Sequence, residues 1–279
     1  MDSDPHASVF DRVVAIDSGV DELFSCGNVA LEEVQALVHG AIFTRGPKDL
    51  RNTAIFVGGS DVAKGEAMLQ RVVKSFLGPL RCSVMLDANG ANTTAAAAVL
   101  RAGKHLELAN TTALVLGGTG PVGQRVARLL ARQGATVRLG SRSVEKAAGA
   151  VAQINQTVGG QRVSAVATGD DAQVAGAVAG CQVVIAAGAA GVRLLSASVR
   201  KSAAALKVAI DLNAVPPLGI EGVDVFDKEK PVDGIIVYGA IGVGGTKMKI
   251  HKAAVAALFE SNDQVLDAEA IYEIGRKLT

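Results

Sequence analysis

The chain has 279 residues, 49% of them hydrophobic, with a mean hydropathy of +0.32, which supplies one or two packed cores and excludes a disordered chain. Lys and Arg number 28 against 27 Asp and Glu, so a net charge of +1 offers no field to recruit nucleic acid, an acidic membrane or a polyanion. Aromatic residues, at 3% with no tryptophan, are too few for a base-stacking platform. The longest apolar runs, 95–100 and 183–190, are far shorter than the roughly 20 residues of a membrane helix. The opening MDSDPHASVF has neither a basic start nor an apolar signal core. The expectation is a soluble, cytoplasmic protein that binds neither nucleic acid nor membrane. Cys26, Cys82 and Cys181 are scattered singly, and His6, His39, His105 and His251 form no HxxxH or HExxH spacing, so no disulfide framework and no bound metal are expected.

The first third alternates β-rich runs with helical patterns. Strands are expected at 13–17 (VVAID), 54–59 (AIFVGG) and 82–87 (CSVMLD), with helices near 29–38, 61–76 and 92–101. Strands that end in Asp or Gly and feed helices read as parallel βαβ units. Residues 103–110 break the apolar pattern, and a second series begins with strands at 113–118, 136–141, 163–168, 181–188, 207–213 and 234–240. That spacing predicts a doubly wound sheet. The last forty residues predict helices near 249–260 and 267–277 and no further strand. The expected fold class is therefore α/β with two domains: a smaller α/β domain over 1–105, a Rossmann-type doubly wound domain over 106–246, and C-terminal helices over 247–279 that pack back on the first. A cleft between the domains is expected from the two chain crossings.

Directly after the strand at 113–116 stands Gly118-Thr119-Gly120-Pro121-Val122-Gly123, a G-x-G-x-x-G pattern that opens a helix with apolar Val122, Val126, Leu129 and Leu130. Strand, motif and helix together are the context of a dinucleotide site. Gly118 is expected to make the tight turn, Gly120 to let backbone approach a pyrophosphate and Gly123 to let the helix pack closely, with the helix amides facing the anion. Pro121 suits the first helical position, where its missing amide is no loss. The next strand ends in Ser141-Arg142-Ser143, with Lys146 one turn on and no carboxylate at its tip. A basic tip accommodates a 2′-phosphate, which favours NADP and leaves NAD open.

Several segments together, AIFVGG (54–59), SVMLDANGANTTAAAA (83–98), GGTGPVGQR (117–125), NAVPPLGIEGVD (213–224) and GAIGVGGTKMKIHKA (239–253), closely resemble the bacterial NAD(P)-dependent methylene-tetrahydromethanopterin dehydrogenases of one-carbon metabolism. The resemblance spans nearly the whole chain. It implies reversible hydride transfer from methylene-tetrahydromethanopterin, the pterin substrate, to NADP+ or NAD+, with a methenyl cation as product, and it favours a homo-oligomer. The product charge is delocalised over N–C–N, so the chemistry needs alignment and exclusion of water rather than a general base.

Lys247 matches the lysine that lines the family's active site, and its expected role is to orient the pterin head group; a solvated lysine at a helix start is the plainer reading, assigned also to Lys249 and Lys252. Asp87, Asn89, Asn92, Thr93 and Thr94 follow a strand and open a helix, so they either face the substrate or cap the helix. Asp17, at the end of the expected first strand, either pairs with the pterin's aminopyrimidine or forms a turn. On the cofactor side, Ala187-Gly188 and Asp211 with Asn213 end strands near the expected ribose and nicotinamide, and Gly239-Ala240-Ile241-Gly242 offers backbone to the carboxamide. The Tyr-x-x-x-Lys pair of the related bifunctional folate enzymes is missing, so no cyclohydrolase activity is expected. The alternatives left open are a methylene-tetrahydrofolate dehydrogenase and a catalytically silent NADP-binding sensor.

Overall fold

The computed structural model describes residues 1–278 and divides into two compact units, one formed by residues 1–93 together with those from 247 on, the other by 94–246. The first unit opens with a helix, α1 (Val9–Asp17), where a strand over 13–17 was expected. Ser8 decides the outcome: its hydroxyl accepts the Asp11 amide at 3.2 Å and caps the first turn. The β-branched run VVAI is thereby wound into a helix that buries only Val14 and leaves Val9, Phe10, Val13 and Ile16 exposed. Asp17 consequently ends a helix, not a strand.

Next come α2 (Val34–Ile42), which starts later than the expected 29–38, then β1 (Ala54–Val57), α3 (Val62–Lys74) and β2 (Ser83–Leu86). Asp61 caps α3 by accepting the Lys64 amide at 3.1 Å. A single 3-10 turn leads from β2 into α4 (Ala91–Gly103), whose alanines 95–98 are fully buried.

The second unit holds α4 from Thr94 on, then β3 (Thr112–Leu116), α5 (Pro121–Arg132), β4 (Thr136–Ser141), α6 (Val144–Val158), β5 (Val163–Ala167), α7 (Asp171–Val178), β6 (Val183–Ala186), α8 (Ala197–Ser202), β7 (Val208–Asp211), β8 (Lys230–Val232) and β9 (Ile235–Tyr238). They build a seven-stranded sheet in the order β5-β4-β3-β6-β7-β9-β8, parallel except for the β8 hairpin at one edge. Leaving out β8, which was not anticipated, this is the doubly wound order. Ala113–Leu116 and all of β6 and β7 are completely buried, as strands in the middle of a parallel sheet must be. Pro121 begins α5, and Val126, Leu129 and Leu130 form its buried face.

α9 (Ala240–Ala257) begins at Ala240, well before the expected 249, and carries the chain back into the first unit. There the C-terminal segment adds a short strand, β10 (Val265–Leu266), parallel to β2, followed by α10 (Ala268–Arg276). The expectation of no strand in this region is corrected: Val265 and Leu266 complete a three-stranded parallel sheet, β1-β2-β10. Among the described residues no helix is long and apolar enough to cross a membrane, and no group of three His, Cys, Asp or Glu is placed to hold a metal ion.

Candidate functional site

In the second unit the glycine turn joins β3 to α5, and each glycine has its own reason. The positive φ of +65° belongs to Gly117, not to Gly118, and a Cβ on Gly117 would lie 2.3 Å from the Gly188 Cα. Gly118 makes room for Leu139 of β4, 2.6 Å from where its Cβ would stand, and its amide reaches the Gly140 carbonyl at 3.0 Å. Gly123 packs against the turn itself, 2.7 Å from the Gly118 Cα. Gly120 differs: its nearest neighbours would be carbonyl oxygens at 3.5 and 3.7 Å, ordinary contact distances. The protein's own packing therefore does not require glycine there. Gln124 donates from its backbone to the Gly120 carbonyl at 3.0 Å and opens the helical ladder, which leaves the Val122 and Gly123 amides ahead of it. Pro121 is exposed, while Thr119 is held by the Gln124 side chain, which donates to its carbonyl at 2.8 Å.

At the tip of β4, Ser143 caps α6 by accepting the Lys146 amide at 3.3 Å, and Ser141 Oγ accepts the Ser143 amide at 3.2 Å. Arg142 and Lys146 are exposed, and among the described residues Arg142 has no hydrogen-bond or ion-pair partner. The Ser143 hydroxyl also donates to the Glu145 carboxylate at 2.9 Å, so the loop carries one carboxylate beside its two basic side chains.

Three other cofactor-side expectations meet different structure. Asp211 is fully buried, and its two oxygens accept the Asn213 and Ile220 amides at 3.0 and 2.8 Å. Burial raises its pKa while those backbone bonds oppose the rise. Asn213 accepts the Val215 amide at 2.9 Å, so both side chains pin the 213–220 loop. Ala187 donates its amide to the Leu116 carbonyl at 2.9 Å, and Gly188 exists in part for its approach to Gly117 and Leu194. Gly239 and Ile241 donate their amides to the Asp227 and Val225 carbonyls, at 2.8 and 2.9 Å, and are not free to bind a carboxamide. A Cβ on Gly242 would collide with the Asp227 carbonyl, so these glycines let α9 start against the 224–228 loop, with Ala240 in the same turn.

In the first unit, Asp87 ends β2 and is completely buried. One carboxylate oxygen accepts the amides of Asn92 and Thr93 at 2.9 and 3.0 Å; the other accepts the Thr93 hydroxyl at 2.6 Å. Asn92 donates from its side chain to the Leu86 carbonyl at 2.5 Å. Asp87, Asn92 and Thr93 thus close the start of α4 among themselves. Asn89, exposed with φ +52°, makes the turn between them, and Thr94 lies half-buried one position further.

Asp17, at the end of α1, pairs with Lys252 at 2.9 Å, both about half exposed. Lys247 of α9 sits with its ammonium 5.1 Å above the Phe10 ring, next to Asp11 on α1. One helical turn further, His251 is buried with its ring stacked on Phe56 at 5.8 Å. Its Nδ1 lies 3.9 Å from Asp87 Oδ2 and its Nε2 4.0 Å from Asp11 Oδ1, and among the described residues neither nitrogen has a hydrogen-bond partner. Burial, aided by the Lys247 charge, pushes the His251 pKa down to about 4, so the ring is neutral at neutral pH. Burial lifts Asp87 to about 6 against the Thr93 bonds and Lys247, and lifts Asp11 as well. Asp11 and His251 escaped the sequence reading; the available signals were the Ser8-x-x-Asp11 helix start and the four-residue spacing of Lys247 and His251.

Residues 9–89 match the family described as methylene-tetrahydromethanopterin dehydrogenase, N-terminal. Two proteins of Methylorubrum extorquens align along essentially the whole chain. The "Bifunctional protein MdtA" is 46% identical over 280 residues, covering 100% of this chain and 97% of its own. The "NAD(P)-dependent methylenetetrahydromethanopterin dehydrogenase" is 33% identical over 279 residues, covering 96% and 94%. Among solved structures, the ligand-free 5-ketofructose reductase of Gluconobacter sp. strain CHM43 superposes with a TM-score of 0.47 at 16% identity, over 99% of this chain and 96% of that one. With a relative one-third identical from end to end and a second approaching half, the chain belongs to the methylene-tetrahydromethanopterin dehydrogenase family.

Proposed function

We propose that this protein is an NAD(P)-dependent methylene-tetrahydromethanopterin dehydrogenase, oxidising the methylene bridge of the reduced pterin to the methenyl cation. The observation that carries the reading is the end-to-end similarity to a relative bearing that name, with Lys247 and the glycine turn both in place. The second unit serves as the cofactor unit: Gly118–Gly123 cradle the pyrophosphate, and Ser141, Arg142, Ser143 and Lys146 receive the 2′-phosphate of NADP. When bound, the nicotinamide supplies the hydride acceptor. The first unit serves as the pterin unit.

Phe10 gives the flat ring system an apolar surface, and the Lys247 ammonium donates to its carbonyl edge. Asp11, with a side chain 17% exposed beside them, accepts from the aminopyrimidine, the role expected of Asp17. Hydride loss leaves the substrate cationic. Two carboxylates, Asp11 and Asp87, against one ammonium leave a negative charge in excess near that cation when both are ionised, which favours the transition state over the neutral substrate. Lys247 must therefore hold the ring by its far edge. No proton has to be moved from the reacting carbon.

The test is a parallel assay of purified protein with methylene-tetrahydromethanopterin and methylene-tetrahydrofolate, each with NADP+ and with NAD+. Nicotinamide reduction with the methanopterin substrate is the expected result, faster with NADP+. Reduction with the folate substrate alone, or none with any pair from protein that still binds NADP, overturns the reading. A homo-oligomeric state, expected for the same reading, is checked by light scattering.

A further inference from the structure

We propose that His251 is a positioning residue of the pterin site, a buried ring set between Asp11 and Asp87 that donates to Asp11 when substrate seats on Phe10 and Lys247. The inference rests on the functional reading above, but the geometry that prompts it stands alone. An imidazole that is 1% exposed, with both nitrogens unpartnered among the described residues, is an unfavourable choice where an aromatic ring alone would stack on Phe56 equally well. At 3.9 and 4.0 Å its nitrogens are about an ångström beyond an ordinary hydrogen-bond length. The ring is thus held just short of two acceptors.

The two acceptors are not equally anchored. Asp87 receives three hydrogen bonds from the start of α4 and cannot follow the ring. Asp11 stands on α1, whose outer face is exposed and which buries only Val14, so that helix can yield. The groups facing His251 are Asp11 and Phe10 from α1, Asp87 from the end of β2, Phe56 from β1 and Lys247 from its own helix. A neutral ring donates through one nitrogen only, so a bond to Asp11 leaves the other nitrogen facing Asp87 as an acceptor. Phe10, the chain neighbour of Asp11, already lies beneath the Lys247 ammonium at 5.1 Å and moves with Asp11 on the same helix. Substrate contact, aromatic floor and buried imidazole then move as a unit.

The test uses the full chain with His251→Phe and His251→Gln. His251→Phe keeps the stacking and removes both unpartnered nitrogens; the expected result is an unchanged or raised Tm, unchanged NADP affinity and a fall in kcat of at least tenfold with a smaller change in KM. His251→Gln, which restores a donor and an acceptor, is expected to recover part of that loss. A second readout needs no variant: the ring 15N shifts of His251 in the wild-type protein should move on titration with tetrahydromethanopterin. Wild-type kcat in His251→Phe, or ring shifts that ignore saturating pterin, overturns the proposal. Wild-type turnover of methylene-tetrahydromethanopterin reports separately on the functional reading, so the two failures are distinguishable.

Discussion

The glycine turn at 117–123 and the cluster around Lys247 and His251 are built in opposite ways. The turn is contiguous in sequence, made almost entirely of backbone, and uncharged. The cluster draws side chains from α1, β1, the end of β2 and α9, and concentrates two carboxylates, an ammonium and an imidazole in a largely buried space. The contrast follows from the tasks proposed for them. An anion is bound by oriented amides that any short glycine-rich segment can present, whereas a polar ring whose charge changes during reaction needs placed side chains.

Substitutions separate the two regions. The largest effect is expected for Lys247→Ala, which should lower kcat/KM for the pterin about a hundredfold, in the range found when one placed donor is removed, and leave NADP affinity unchanged. Weakened NADP binding in that variant would break the division of labour. Arg142→Ala should weaken NADP by roughly tenfold or more, the worth of a charge-assisted contact, and leave NAD untouched, as measured by the ratio of their dissociation constants. Within the turn, Gly120→Ala and Gly123→Ala make a sharper pair. The first should weaken NADP about tenfold at constant Tm. The second places a methyl 2.7 Å from the Gly118 Cα and should cost about 1–3 kcal/mol of stability.

The cluster also makes a pH prediction. Asp87 rises from 3.8 in the unfolded chain to about 6, so the folded state holds the extra proton in that window and stability falls as pH rises through it. Asp11, also raised by burial, acts in the same direction. His251 drops from 6.5 to about 4, so the folded state holds fewer protons there and stability rises with pH over that span. The two slopes oppose each other in the wild-type protein. His251→Phe should unmask a stability that declines between about pH 4 and 6, and Asp87→Asn one that climbs from about pH 4 to 6.5, both read from urea midpoints. The smallest effect is expected for Lys252→Ala: its half-exposed pair with Asp17 is worth about 0–1 kcal/mol, and activity should not change.

The same contrast explains what was legible from sequence. The doubly wound sheet and the glycine turn between β3 and α5 were, because strand, Gly118–Gly123 and the α5 stripe follow one another along the chain. Even there the φ > 0 position fell to Gly117, since the tight approach to Gly188 comes from a distant strand end. The run VVAID looked like a strand because its residues favour one; the cap at Ser8 and the burial of Val14 alone turned it into α1. That misreading carried Asp17 toward the substrate and hid Asp11. Asp211 and Asn213 ended a strand as expected, yet their partners, the Ile220 amide and the Pro217 carbonyl, lie beyond local inspection. His251 was invisible for the same reason: its meaning lies in carboxylates on two other elements.

The most direct test of hydride transfer as the protein's reaction uses methylene-tetrahydromethanopterin with both methylene-bridge hydrogens replaced by deuterium, and NADP+ as acceptor. The account predicts that deuterium appears in the reduced nicotinamide ring, one per turnover. Reduced nicotinamide free of deuterium, or pterin consumed without nicotinamide reduction, would contradict it.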